Sequence, residues 1–285
     1  MKKAILIVLK VIALTAILFV CFIVAGGLVG PQTSQTPEEA AAAAPALLAL
    51  CFLNTVVLTF IILRSSWYGV RLMVAVFFVL YGVTTVMSQI ETAVFVSLPP
   101  GVLPRLFLMG ALIAAPFSVL AVLILGRRKA DIEVANSNSR LMMPASEWAW
   151  KLALIAIVYV SLYFTFGYYI AWQYPAVREY YAGTDEGEFI ANMLVTLRNT
   201  PWLLPFQILR AMLWTAFALP VIRMMKGSRL ETALAVALLF CVVMNTQLLL
   251  PNPYMPEAVR IAHLIETGSS NFIFGFFVGW LLSRS

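Results

Sequence analysis

The stretch 258–282, AVRIAHLIETGSSNFIFGFFVGWLL, is long enough to cross a bilayer, yet it carries Arg260, His263, Glu266, Ser270 and Asn271. At about 100° per residue these five side chains, with Thr267, fall within an arc of roughly 140°. Ile261, Leu264, Ile265, Gly268 and Phe272 cover the opposite side. A helix of this pattern turns its apolar side to lipid or to neighbouring helices, and its polar side into the protein or a wet cavity.

The rest of the chain supplies the membrane setting. Of 285 residues, 62% are hydrophobic and 11% charged, against roughly 25% charged in a soluble domain. Apolar runs of about 20 residues, the length that spans the hydrocarbon layer, recur at 4–29, 45–63, 72–98, 102–125, 148–172, 201–223, 230–250 and 258–282. The expected fold is therefore all-α, a polytopic integral membrane protein with eight transmembrane helices. The net charge of +6 does not point to nucleic acid, because the basic residues cluster at span ends. The start, Met1-Lys2-Lys3 before a long apolar run interrupted by Lys10, reads as a retained signal anchor rather than a cleaved peptide. Cys21, Cys51 and Cys241 all lie inside spans without paired spacing and read as packing residues.

Basic residues set the orientation. Lys2, Lys3, Arg64, Arg71, Arg127, Arg128, Lys129, Arg140, Lys151, Arg223, Lys226, Arg229 and Arg284 fall on one side, while Arg178 and Arg198 fall on the other. By the positive-inside rule the chain is expected in the cell membrane, multi-pass, with both termini cytoplasmic. Thr36-Pro37-Glu38-Glu39 reads as a capped helix start before the second span. Asp185 and Glu188 read as a capping box for a short surface helix carrying Phe189, Met193 and Leu197.

The chain divides into a first four-span half at 1–130, a cytoplasmic linker at 131–147 and a second half at 148–285 with an extracytoplasmic loop at 173–200. Both halves have the order span, long outer loop, span, short basic inner loop, span, Pro-rich outer turn, span. At an offset of about 157, Val86-Met87 matches Val243-Met244, Pro99 matches Pro256 and Phe117 matches Phe274. Two parallel four-helix repeats and a single eight-helix bundle are both left open.

Three charges share one depth. At 1.5 Å per residue Glu266 lies about 12 Å from the outer end of its span, Arg210 about 13 Å and Glu91 about 10 Å. An intramembrane charge costs about 2.5–3.5 kcal/mol on insertion scales, so acids at that depth are protonated or paired, and Arg210 is the natural partner. His263, Gln89, Asn245, Gln247 and Asn271 add more polar groups than one ion pair requires. Glu91, His263 and Glu266 are therefore the candidate proton-transferring or catalytic residues, and Arg210, Arg260, Gln89 and Asn271 the candidate substrate-binding ones. His263 and Glu266 at i, i+3 with Glu91 have a spacing that zinc or iron accepts. With one histidine in the chain and no thiolate nearby, no metal is assigned and no cofactor is named.

No HExxH, GxSxG, phosphate-binding glycine loop or paired-cysteine motif is present. The CAAX-protease-like membrane family is of similar size, but its double-glutamate/arginine motif and second histidine are missing. Two functions remain. One is a polar site in the outer half of the bundle that handles a small anionic or lipid-like substrate, by transport or intramembrane chemistry. The other is a non-catalytic scaffold or sensor whose buried charges only fix helix packing. The expected partners are the lipid bilayer and an anionic small molecule or lipid head group.

Overall fold

The computed structural model describes residues 2–30, 37–129, 139–181, 183, 187–252 and 254–283. Ten helices are named in chain order: α1 Lys2–Val29, α2 Pro37–Leu63, α3 Gly69–Phe95, α4 Val102–Ile124 and α5 Ala145–Tyr169, then α6 Pro175–Tyr180, α7 Phe189–Asn199, α8 Leu203–Met224, α9 Arg229–Leu249 and α10 Glu257–Leu282. No strand occurs among the described residues. Seven helices, α1–α5, α8 and α9, are long and apolar enough to cross a membrane, which makes this a multi-pass membrane protein by length and composition. The eighth expected span, α10, has 26 residues but too polar an N-terminal half to stand with the seven.

Helix α2 begins at Pro37 with Glu38 and Glu39 in its first turn, next to the helix dipole's positive end. Thr36, its expected cap, lies outside the described residues, as do Asp185 of the expected capping box and 131–138 of the linker. Glu188 precedes α7 without a side-chain cap bond, and Ile190 and Leu194 of that helix are exposed.

Helix α1 packs on α2 and α4, and α3 packs on α4; in the second half α5 packs on α8 and α10, and α9 on α10. The halves meet where α2 faces α9, where α3 faces α8, and at a short antiparallel bridge between Ser65 and Met225. There the Ser66 amide donates to Met224 O (2.6 Å) and the Lys226 amide donates back to Arg64 O (2.9 Å). Helix α10 runs antiparallel to α9 over its whole length. Arg260 near its start reaches Leu248 O and Leu250 O, while Trp280 O near its end accepts from Arg229 Nε at the start of α9. Small residues permit the seam: a Cβ on Gly275 would lie 2.7 Å from Val236 O, and one on Gly279 2.7 Å from the Ala233 Cα.

Two helices change pitch mid-membrane. Gly82–Val86 in α3 and Leu239–Val243 in α9 are π turns, starting 157 residues apart, and they touch each other. Polar side chains take the carbonyls that such turns loosen. Asn245 Nδ2 donates to Cys241 O (2.8 Å), and Gln247 Nε2 crosses to Thr84 O (2.7 Å). Burial follows the same offset. Ile113, Ala114, Phe117, Ser118, Ala121 and Val122 of α4 are buried, and so are Ser270, Asn271, Phe274, Gly275, Val278 and Gly279 of α10. Ala75, Val76, Val79 and Leu80 of α3 match buried Thr232, Ala233, Val236 and Ala237 of α9; the match breaks where buried Leu72 corresponds to half-buried Arg229 and where buried Ala235 corresponds to exposed Phe78.

One end of the bundle is rich in arginine. Arg64 pairs with Glu231, Arg127 donates to Ser65 O, Arg140 donates to Met225 O (2.8 Å) and Gly227 O, and Arg223 donates to Arg140 O (2.6 Å). Arg127 and Arg140 thereby take carbonyls just past the C-termini of α2 and α8, where intrahelical donors run out. Glu231 holds the Arg64 guanidinium above its usual range, and burial lowers that of Arg140.

Candidate functional site

At the opposite end, the connection after α5 folds back onto α10. Ala171 and Val177 bury themselves against Val259 and Ala262, Tyr180 Oη donates to Tyr254 O (2.7 Å), and Arg178 Nη1 donates to Trp172 O (2.6 Å). This small apolar seat fixes α6 over the first turns of α10. It places the Tyr181 hydroxyl 3.1 Å from His263 Nε2.

His263 Nδ1 lies 3.1 Å from Glu266 Oε2, one turn along the same helix. Burial pushes the Tyr181 phenol up, and the charge of Glu91 adds to this, so the hydroxyl keeps its proton. The bonding pattern then assigns the tautomer: Tyr181 donates to Nε2, and Nδ1–H donates to the Glu266 carboxylate. Thr267 continues the polar face, donating to Asn245 Oδ1 (2.5 Å) and linking α10 to the π turn of α9.

Arg210 stands beside this chain. Its Nη2 is 2.9 Å from Glu91 Oε1 on α3, and its Nη1 donates to Gln207 Oε1 (3.0 Å) one turn earlier on α8. The guanidinium is buried, whereas about a third of the Glu91 side chain is exposed, so Glu91 is the outward member of the pair. The ring of Tyr159 lies 5.8 Å from the guanidinium carbon. Glu91 and Glu266 are both near enough to Arg210, and Glu91 to His263, for their charges to act on these groups. Because Gln207 Oε1 accepts, its Nε2 is a donor; that group and Arg210 Nε are both buried without an acceptor.

Glu91, Arg210, His263 and Glu266 thus form two bonded pairs in one charged neighbourhood, contributed by α3, α8 and α10. Three other candidates lie elsewhere. Arg260 spends Nη1 on Leu248 O (2.9 Å) and Leu250 O (2.7 Å), closing the end of α9. Gln89, two residues before Glu91, lines a separate cavity with Asn54, Thr84 and Gln247. Asn271 is buried two turns further down α10. No group of three histidine, cysteine or carboxylate side chains suited to a metal occurs among the described residues.

Sequence reasoning missed Tyr181 and Gln207, and read Tyr159 as packing. Gln207 had a visible signal, since it stands at i−3 to Arg210 on one helix face. Tyr181 had none: it is one of ten tyrosines, and only the seat of α6 brings it to His263. The chain has no match among protein-family models, curated proteins or solved structures.

Proposed function

We propose that this protein crosses the membrane eight times, with both termini on the cytoplasmic face, and that its outer-half cluster couples a proton to a small anionic or lipid-like substrate. The observation that carries the reading is the hydrogen-bonded chain Tyr181–His263–Glu266 beside the Arg210–Glu91 pair. With a neutral imidazole, one guanidinium faces two carboxylates; one proton on His263 makes the cluster neutral. A buried cluster that is one charge short holds a cation, and a proton is the cation these groups bind. The unsatisfied donors Arg210 Nε and Gln207 Nε2 suit an anionic oxygen. An anion that displaces the partly exposed Glu91 from Arg210 leaves a carboxylate to be neutralised, and this ties substrate to proton.

The antiparallel run of α10 beside α9 supports the eighth crossing, and the arginine-rich end supports the orientation. Matching burial and π turns at one offset support descent of the halves from a single four-helix unit. Cysteines at Glu188 and Arg128, both exposed, test the orientation: an impermeant thiol reagent labels the first in intact cells and leaves the second.

His263 is the only histidine, so protein labelled with ¹⁵N-histidine reports this ring alone. A wild-type ring that titrates between about pH 4 and 9, with a step that moves in Glu266→Gln, supports a proton site. A ring fixed in one state throughout would favour the scaffold reading, for which the well-packed Arg210–Glu91 pair is the supporting observation.

A further inference from the structure

The cavity lined by Gln89 occupies the place in the first half that the charged cluster occupies in the second. Its α4 wall is Leu106, Met109, Gly110 and Ile113; the residues 157 further on are His263, Glu266, Thr267 and Ser270. Its α1 wall is Leu18 and Phe22, a pair four residues apart on the helix that packs against α2 and α4, as Tyr159 and Tyr163 lie on the helix that packs against α8 and α10. The two titratable side chains of α10, His263 and Glu266, thus have apolar counterparts here, Leu106 and Met109. The void has about 90 Å³, room for about three waters.

We propose that this cavity is a second binding site, and that it takes a small uncharged ligand with a hydrogen-bond donor and an apolar body, an alcohol or primary amide. The lining contains no titratable side chain, so a charged ligand would be stranded without a counter-charge. One wall is polar, formed by Asn54, Thr84, Thr85, Gln89 and Gln247; the other is apolar, formed by α1 and α4. Much of the polar wall is already committed. Asn54 Oδ1 accepts from Thr246 (2.8 Å), Gln247 Nε2 donates to Thr84 O, and Thr84 Oγ1 donates to Leu80 O (2.7 Å). Gln89 Oε1 is a buried acceptor without a donor, which sets the ligand's polarity. The ligand is either a free small molecule or the head of a neutral lipid, and both present the same hydroxyl.

The test uses the full-length protein in nanodiscs and a diazirine-bearing octanol as probe, with cross-linked peptides located by mass spectrometry. Labelling is expected on the peptides that contain Phe22 or Met109. Competition by 1-butanol identifies a free ligand, and competition by dioleoylglycerol built into the disc identifies a lipid head; butyrate should not compete. Met109→Trp, which fills the void, should cut labelling about tenfold, and Gln89→Leu should weaken it. Ile113→Phe is the second filling variant if Met109→Trp does not fold. Labelling that survives both filling variants, or equal competition by butyrate, or no labelling of these peptides, overturns the site. The test does not involve His263 or Glu266, so its failure leaves the proton reading standing.

Discussion

Helices α4 and α10 bury a shared set of positions at an offset of 157, yet where they line their cavity and cluster they carry opposite chemistry. Helix α4 places Leu106 and Met109 where α10 places His263 and Glu266, and Gly110 where α10 places Thr267. Gly110 is tight: a Cβ there would lie 2.0 Å from Thr85 Oγ1 on the π turn, whereas Thr267 has its hydroxyl on Asn245. A shared scaffold therefore does not impose a shared site. What makes the second half polar is the partner each charge finds on a different helix, Arg210 from α8 and Tyr181 from the connection after α5, neither of which the first half supplies.

The sharpest way to break this contrast is to remove one charge of a pair. Arg210→Leu leaves Glu91 without its cation and should destabilise the protein by about 3–5 kcal/mol, read by chemical unfolding in detergent. Arg210→Leu with Glu91→Gln should recover most of that loss. If the double variant is as unstable as the single, the two residues are not coupled.

The next effect concerns packing. Ser118 and Gly275 are counterparts, both buried. Because a Cβ on Gly275 would meet the backbone of Val236 and Ala237, Gly275→Ser should cost about 1–3 kcal/mol even though the first half already holds serine there. An unchanged unfolding midpoint would mean the α9–α10 seam is looser than its geometry.

A smaller effect separates chemistry from stability. Tyr181→Phe removes the donor to His263 Nε2 and should move the titration of the single histidine signal while changing stability by about 1 kcal/mol. Met109→Leu, at the counterpart of Glu266, should leave that signal alone. A histidine signal as sensitive to Met109→Leu as to Tyr181→Phe would place the site elsewhere. Smallest of all is Arg64→Ala. The ion pair with Glu231 is half exposed on the arginine side, and its loss should cost no more than about 1 kcal/mol.

The helical fold was legible because hydrophobic length is a long-range signal that needs no partner: each run of about 20 apolar residues declares a span by itself. Glu91, Arg210 and Glu266 were legible as a group for a related reason, since depth in the bilayer can be counted along each helix separately. Azimuth cannot. Gln89 shares its depth with Glu91, yet the helix turns it into another cavity, and Arg260, read as a ligand for an anion, has its Nη1 on carbonyls at the end of α9. Tyr181 depended on a six-residue helix whose seat is set by Val259 and Ala262, contacts that no local pattern encodes. The polar composition that singled out α10 in the sequence is also what kept that helix below the apolarity of the seven others.

The π turns bear on ancestry. Such a turn arises when one residue is added to an α-helix, and here it interrupts both α3 and α9 at positions 157 apart. An insertion at the same register in both halves is what the proposed descent from one four-helix unit predicts, whereas Arg210, His263 and Glu266 have Leu53, Leu106 and Met109 at that offset. On that proposal the kink came first and these charges later.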